Sequence, residues 1–351
     1  MELTYAEQSS PGPARENEAQ SQPSGYDLQP GQILDGRFLI TDIISRSGMA
    51  TIFKAADQHT KQDVALKVPF LQYESDPGFF SRFVREGKIG EQLNHPYILK
   101  FIPVEHRSRP YLVTEYLRGH TIAHLLKSVR PMPEKDALSL AGRICEALTH
   151  MHEQGVIHRD LKPHNIMICF DGTIRLLDFG IAKSIGRRFT FTGFTPAIGT
   201  PEYMAPEQVK GRRGDERTDI YTLGAMLYEM VVGAIPFADE KNEDVFAAMN
   251  ARLTGDPVAP RKQNRKLSEQ VEEIILHAME RDPKNRYQSI PAMKEDLANP
   301  GKVQLTGRCH RLQTPSPWKR HCKNALWIGL LLAVIVFGFV QLILLIMRRG
   351  P

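Results

Sequence analysis

The residues best suited to chemistry lie in one short stretch and in a second that follows it. His158 to Asn165 reads His-Arg-Asp-Leu-Lys-Pro-His-Asn, and Asp178-Phe179-Gly180 begins thirteen residues after Asn165. A carboxylate such as Asp160 can hold a hydroxyl in line with a γ-phosphate, while the oxygens of Asn165 and Asp178 suit Mg²⁺. Asp, Asn and Gly are also common in turns, but the whole ordered string argues against chance. The pattern therefore indicates phosphoryl transfer.

Several predicted elements would position these residues. Two apolar runs between the stretches, Ile166 to Cys169 and Thr173 to Leu177, are typical of a β-hairpin. Upstream, Val64-Ala65-Leu66-Lys67 is a short β-type run that ends in a lysine, and Arg82 to Glu86 lies on a predicted helix. Tyr111 to Leu117 is a further β-type run. A lysine on a strand is usually just solvated, so Lys67 needs a partner before it indicates a site.

In this order the motifs resemble those of the eukaryotic-type serine/threonine protein kinases, most closely the bacterial, membrane-anchored branch of that family. The resemblance runs from about residue 37 to about residue 298 and includes Gly199 to Glu207, Asp219 and Arg286, the expected buried partner of Glu207. It implies an α+β, two-lobed fold with a small β-rich N-lobe and a larger helical C-lobe. Asp178 to Lys183 and Gly48-Met49 favour the bacterial branch.

The resemblance also implies roles for individual residues. Asp160 would hold the acceptor hydroxyl, and Lys162 would contact the γ-phosphate. Lys67 would bind the α- and β-phosphates, and Glu86 would fix it by an ion pair. Lys162 favours serine/threonine over tyrosine specificity, and so does Thr200, which would bridge Asp160 and Lys162. The implied cofactors are ATP and Mg²⁺, with Asn165 and Asp178 as the metal ligands.

The implied nucleotide site draws on the strands and on a loop between them. Thr114 would lie at the back of the adenine pocket, Glu115 to Leu117 would form the hinge, and Ala65 and Met167 would sandwich the ring. Plain core packing remains the alternative for the latter two, because adenine binding is itself apolar packing. The cofactor-binding residues are Ile44, Ser45, Arg46, Ser47, Gly48, Met49, Ala50, Thr51, Ile52, Ala65, Lys67, Thr114, Glu115, Leu117 and Met167.

The loop that would cover the phosphates departs from the family pattern. Gly-x-Gly-x-x-Gly is expected, but the chain reads Ser45-Arg46-Ser47-Gly48-Met49-Ala50. Glycine is used there because backbone N–H groups approach phosphate closely and a Cβ restricts positive φ. Two hypotheses follow. The first is an active kinase that is slow or weak in ATP affinity, and the second is a pseudokinase that acts as a membrane-tethered scaffold.

Composition divides the rest of the chain. Residues 1–30 are rich in Ser, Pro, Gln and Glu, which predicts a disordered leader without a secretory signal. We expect a kinase domain at 37–298, a basic juxtamembrane linker at 299–324, a transmembrane helix at 325–347 and a short tail at 348–351. Because this tail has only four residues, no extracytoplasmic domain is expected. The net charge of +5 does not indicate nucleic-acid binding, and four cysteines without a CxxC pair fit a reducing cytosol.

The C-terminal apolar stretch predicts a single membrane span. From Leu326 to Met347 every residue is apolar or glycine except Gln341, which gives 22 residues and roughly 33 Å of helix. Lys and Arg are more frequent before the span than after it, which predicts a cytoplasmic kinase domain. Expected partners are the bilayer, anionic lipid heads and protein substrates with Ser or Thr acceptors. A homodimer through the span is left open, since Gly329 and Gly338 form no GxxxG motif.

Two further expectations concern regulation. Thr190, Thr192 and Thr195 lie in the segment that kinases of this family order by phosphorylation, so autophosphorylation is expected at one or more of them. Gly87 and Gly90 follow Glu86 on the predicted helix, and each costs about 1 kcal/mol relative to alanine there. A soft helix that rests displaced from Lys67 is therefore expected, unless neighbouring packing absorbs the two glycines.

Overall fold

In the described part of the chain, most strands precede most helices. This computed structural model describes residues 28–74, 76–178, 201–237 and 245–312. The strands are β1 (Ile33–Leu34), β2 (Phe38–Arg46), β3 (Ala50–Asp57), β4 (Asp63–Pro69), β5 (Leu112–Glu115), β6 (Gly119–Thr121), β7 (Ile166–Cys169) and β8 (Ile174–Leu176). The helices are α1 (Leu71–Glu74), α2 (Pro77–Gln92), α3 (Ile122–Ser128), α4 (Glu134–Glu153), α5 (Pro206–Val209), α6 (Glu216–Val232), α7 (Val245–Thr254), α8 (Pro260–Gln263), α9 (Glu269–Ala278), α10 (Ile290–Ala298) and α11 (Arg308–Arg311).

The first five strands form one antiparallel sheet in the order β1-β2-β3-β4-β5. Side chains alternate along β4, as the two-residue period of a strand requires. Val64, Leu66 and Val68 are buried in the apolar core of this small lobe, whereas Ala65 and Lys67 lie on the other face and are half-buried. This alternation is what turns Lys67 away from the core and toward the space between the lobes.

Helix α2 is packed against the sheet by its glycines. Asp76 caps its N-terminus by accepting from the backbone N–H groups of Gly78 and Phe79. A Cβ atom at Gly87 would lie 2.6 Å from a methyl carbon of Leu112, and one at Gly90 would lie 2.5 Å from the ring of Phe101. The glycines are therefore contact residues that let α2 approach closely. The displaced, softened helix expected from the sequence is not found, because packing absorbs both glycines.

The large lobe is built around α6. A helix that is buried on all sides lies at the centre of a domain, and nearly every side chain of α6 from Thr218 to Val231 is buried. Asp215 caps its N-terminus, and Gly233 ends it with a φ of 85°. Helices α4, α9 and α10 pack around α6. The two-lobed α+β fold predicted from the sequence is confirmed.

The chain continues as folded structure after α10. A 3-10 turn at Pro300–Lys302 and helix α11 both contact α9, so the first part of the predicted linker belongs to the large lobe. In the four described ranges, no helix is both long and apolar enough to cross a bilayer. The leader as far as residue 27 and the predicted span at 325–347 lie outside those ranges, and the span stays a prediction.

Candidate active site

Lys67 contacts two carboxylates that come from distant parts of the chain. Its Nζ atom lies 2.6 Å from Oε1 of Glu86 and 3.7 Å from Oδ1 of Asp178. Glu86 is 4% exposed, whereas half of the Asp178 side chain is exposed. Burial lowers the pKa of Lys67, but the charges of Asp178 and Glu86 outweigh burial and raise it. Lys67 is therefore held as a cation, and it lies beside a carboxylate that solvent can reach.

The loop before β7 brings the other predicted catalytic groups together. Nζ of Lys162 lies 3.3 Å from Oδ2 of Asp160. The side-chain amide of Asn165 donates to the backbone oxygen of Asp160 at 2.8 Å and to its Oδ2 atom at 3.3 Å. These contacts fix the Asp160 carboxylate between a cation and an amide. The predicted hairpin follows at once, since β7 and β8 pair antiparallel.

Asp219 anchors this loop from the centre of the large lobe. The carboxylate is fully buried and accepts from the backbone N–H groups of His158 at 2.9 Å and Arg159 at 2.8 Å. Its Oδ2 atom also lies 2.8 Å from Nε2 of His152. Burial raises the pKa of Asp219, but the bond from His152 and its other partners hold it below its usual value. The sequence carried no signal for His152, because its contact depends on how α4 and α6 pack.

A second buried pair closes the large lobe below the loop. Arg286 donates from both terminal nitrogens to Glu207, at 2.9 and 2.8 Å, which is the pairing that the resemblance implied. Gln208, the next residue, donates to the backbone oxygen of Arg159 at 2.8 Å. The start of α5 is thereby tied to the loop that carries Asp160.

A third buried carboxylate holds the segment before α5. The hydroxyl of Tyr203 donates to Oε2 of Glu229 at 2.5 Å, and Arg130 donates to Oε1 of the same residue at 2.6 Å. Glu229 lies on α6 and is 3% exposed. These three residues are far apart in the chain, so sequence reasoning missed them.

The predicted metal ligands have suitable chemistry for Mg²⁺. Asn165 donates a hydrogen bond from its amide nitrogen to Asp160, which leaves its side-chain oxygen as a potential metal ligand, and half of the Asp178 side chain is exposed. Such a hard-oxygen pair suits Mg²⁺, which is usually bound by one or two protein ligands together with phosphates and water. In the described ranges, no cluster of three or more His, Cys, Asp or Glu side chains could hold a metal by itself. Asn165 and Asp178 thus fit Mg²⁺ that arrives with a nucleotide.

The predicted adenine end of the site lies along β4 and β5. Ala65 is the register partner of Thr114, and the latter is 8% exposed. Ala65 lies on the same face of β4 as Lys67, so one strand presents both the apolar contact and the cation. Met167 is half-buried on β7, while Glu115 accepts from Arg175 at 3.0 Å.

The loop between β2 and β3 tolerates its missing glycines. Neither Ser45 nor Ser47 has a positive φ, so the Cβ atoms of these serines cause no backbone strain. The Ser47 hydroxyl donates to the backbone oxygen of Ala50 at 3.0 Å and accepts from the backbone N–H of Ala50 at 3.2 Å. Ser47 thus links the two arms of the loop. Ile44 and Met49 remain exposed.

Arg159, in the loop that carries Asp160, is repelled by two other arginines. Burial lowers the pKa of Arg159, and the guanidinium groups of Arg213 and Arg85 lower it further. The negative charge of Asp219 acts in the opposite direction and raises it. The buried Nε atom of Arg159 has no hydrogen-bond partner within the described part of the chain. Mutual repulsion of this kind favours a bound anion. Phe179, Thr200 and the three threonines predicted to be phosphorylated lie outside the described residues.

Comparison with known proteins agrees with this geometry. The family model of the protein kinase domain matches residues 40–297. The serine/threonine-protein kinase PknB of Mycobacterium leprae is 35% identical over 269 residues, which cover 75% of this chain and 43% of that protein. The serine/threonine-protein kinase PrkC of Bacillus subtilis is 33% identical over 268 residues, covering 76% and 41%. The chain therefore spans less than half the length of these relatives.

A solved structure supports the fold. The PknI kinase domain of Mycobacterium tuberculosis is 22% identical with a TM-score of 0.61, and the match covers 79% of this chain and all of that one. The chain belongs to the protein kinase domain family, in the eukaryotic-type serine/threonine branch that bacteria carry.

Proposed function

We propose that this chain is an active serine/threonine protein kinase that transfers the γ-phosphate of MgATP to protein hydroxyls. The observation that carries the proposal is the contact between Lys67 and Glu86 at 2.6 Å, together with an exposed Asp178 carboxylate beside the same lysine. A kinase needs both the ion pair and the metal-binding carboxylate in place. The fixed Asp160 carboxylate then lies ready for an acceptor hydroxyl.

Each residue has a distinct task in this reaction. Lys67 positions the α- and β-phosphates, and Mg²⁺ bound through Asn165 and Asp178 offsets phosphate charge when MgATP is present. Asp160 orients the acceptor hydroxyl and takes its proton as the oxygen attacks the γ-phosphorus. The bond from the γ-phosphorus to the oxygen that bridges it to the β-phosphate breaks in the same transfer, and ADP leaves with that electron pair. Lys162, 3.3 Å from Asp160, offers a cation to the transferred group. Because Asp219 and Asn165 hold the loop, Asp160 needs little reorganisation during the step.

Phosphate transfer to a generic basic protein tests this proposal directly. Asp160→Asn should lower the rate of radiolabel transfer from ATP by about 10²–10⁴-fold, the usual contribution of a general base. Asp171→Asn is the matched control, because Asp171 lies in the exposed turn between β7 and β8 and bonds only within that turn as far as the structure describes. Equal background signals from the wild type and Asp160→Asn would favour the scaffold hypothesis instead.

We further propose that the chain is anchored in a membrane by the predicted span at 325–347, with the kinase domain in the cytoplasm. The support is the apolar run from Leu326 to Met347 and the basic residues before it. Its protein substrates and the anionic lipid heads would then both lie at the cytoplasmic surface of the membrane. Whether the span also forms a homodimer is left open. Flotation of the full chain with liposomes tests the anchor. Recovery in the soluble fraction without detergent would contradict it.

Autophosphorylation is proposed for Thr190, Thr192 or Thr195. The support is the group of arginines around Arg159, because a phosphothreonine carries up to two negative charges and pairs well with guanidinium groups. Incubation with MgATP followed by mass spectrometry should find phosphate on at least one of the three threonines. Active protein with all three unmodified would contradict the proposal.

A further inference from the structure

A short segment after the last long helix is folded onto the large lobe. We call residues 303–312 the strap. Val303 packs against the main apolar core, and both Thr306 and Arg308 bind the carboxylate of Glu273 on α9. The backbone N–H of Thr306 donates to Glu273 at 3.2 Å, and its hydroxyl binds the same oxygen. Arg308 donates to Glu273 through its side chain at 2.5 Å and its backbone N–H at 3.3 Å, and lies 3.4 Å from Glu280.

These contacts are strong enough to make the strap part of the folded lobe. Glu273 is 4% exposed, and a buried carboxylate is costly unless it is paired and hydrogen-bonded. Burial raises the pKa of Glu273, but the bonds from Thr306 and Arg308 hold it below its usual value. Every one of these partners follows residue 297, where the match to the kinase family model ends. The strap therefore lies outside the part of the chain that matches the family model.

The strap shortens the stretch of chain between the folded lobe and the predicted span. With the strap docked, this stretch, which we call the tether, is the twelve residues 313–324, and it can reach at most about 40 Å. With the strap released, the tether begins near residue 303 and reaches about 75 Å. Since effective concentration falls roughly as the −3/2 power of tether length, release should lower the effective concentration of the kinase at the membrane about 2.5-fold.

We propose that the strap is a positioning device that keeps the α9 side of the kinase domain facing the bilayer, so that the kinase favours substrates held on the same membrane. This role rests on the membrane anchoring proposed above. The strap contacts α9, whereas Asp160 is held by α6 and by its own loop. Catalysis on soluble substrates should therefore not depend on the strap.

The test uses the full chain in liposomes, with two variants that release the strap from opposite sides. Glu273→Ala removes the carboxylate on α9 that binds the strap. If this variant does not fold, the double variant Thr306→Val/Arg308→Ser removes the two strap side chains that bind the carboxylate. Glu269→Gln is the control, because Glu269 lies on the same helix and pairs with Arg261. One measurement is the rate of tryptic cleavage after Arg311, which ends α11 and is kept in both variants. The other is the rate of phosphorylation of one peptide, free in solution or attached to lipid in the same vesicles.

Release should raise cleavage after Arg311 by about tenfold and lower the ratio of lipid-attached to soluble phosphorylation about 2.5-fold. The rate on the soluble peptide should not change. Cleavage as fast in the wild type as in the release variants would overturn the role of the strap, and so would an unchanged ratio of lipid-attached to soluble phosphorylation. Neither result would contradict the membrane anchor. A chain that does not float with liposomes would refute the anchor and this role with it, although cleavage would still report whether the strap is docked.

Discussion

The Nζ atom of Lys67 on β4 and the Oε1 atom of Glu86 on α2 lie 2.6 Å apart, although nineteen residues separate them. This contact requires α2 to lie close to the sheet. Gly87 and Gly90 make that approach possible, since a Cβ at either position would collide with Leu112 or Phe101. The glycines that weaken the helix in isolation thus stabilise its position in the fold.

The first prediction concerns this close approach. Gly90→Leu should lower the free energy of unfolding by about 1–3 kcal/mol, because the new side chain meets the ring of Phe101 and overpacks the interface. Peptide phosphorylation should also fall, since α2 must move away from Lys67. Gly142→Ala on α4 is the control, because nothing lies within 4 Å of the position of an added Cβ. This change should raise the free energy of unfolding by up to about 1 kcal/mol. Higher basal activity in Gly90→Leu would instead favour the displaced helix.

The second prediction concerns the pair that closes the large lobe. Arg286→Ala should lower the free energy of unfolding by about 3–5 kcal/mol, because it leaves Glu207 buried without its cation. Lys294→Ala removes a cation from an exposed pair with Glu146 and should cost less than about 1 kcal/mol. Denaturation in urea measures both. Similar losses in the two variants would show that Glu207 is less dependent on Arg286 than the geometry indicates.

The third prediction concerns the loop over the proposed nucleotide site. Ser47→Ala removes the hydroxyl that links the loop to Ala50. Hydrogen bonds of this kind contribute about 0.5–1.5 kcal/mol, so KM for ATP should rise about twofold to tenfold while kcat changes little. Thr41→Val is the control, since Thr41 bonds to Lys54 on the same strand pair outside the loop. An equal rise in KM in the control would remove the special role of Ser47.

The fourth prediction is a pH dependence. Burial lowers the pKa of His277 from 6.5 to about 4, helped by Arg308 and opposed by Asp296 and Glu273. A lowered pKa means that the unfolded chain binds the proton first, so His277 contributes stability above pH 6.5 that is lost as pH falls toward 4. His277→Asn should therefore lose less stability than the wild type between pH 7 and pH 5.

Thermal or urea unfolding at several pH values between these limits measures that difference. His106→Asn, a change at an exposed histidine, should keep the wild-type dependence of the free energy of unfolding on pH. The prediction fails if His277→Asn keeps that dependence too. The ring of His277 stacks on Tyr287 with centroids 3.9 Å apart, so some loss of stability at every pH is expected and does not count against it.

Much of the candidate site could be predicted from the sequence because its residues lie in short ordered motifs. Asp160, Lys162 and Asn165 are separated by a few residues, so local geometry alone brings them together. The strand of Lys67 and the hairpin after Asn165 follow from short apolar, β-type runs. The resemblance implied the pair between Lys67 and Glu86, and these side chains are in contact, whereas the proximity of Asp178 to Lys67 is known only from the structure.

Only the tertiary structure decided which distant polar groups meet. His152 reaches Asp219 because α4 packs on α6, and Arg130 reaches Glu229 across almost a hundred residues. Propensity alone made Gly90 a weakness, whereas packing against Phe101 makes it a requirement. The docking of the strap on Glu273 was also invisible, because the sequence pattern of a basic linker does not show where a buried carboxylate will lie. Such contacts depend on the arrangement of whole helices, which no local pattern encodes.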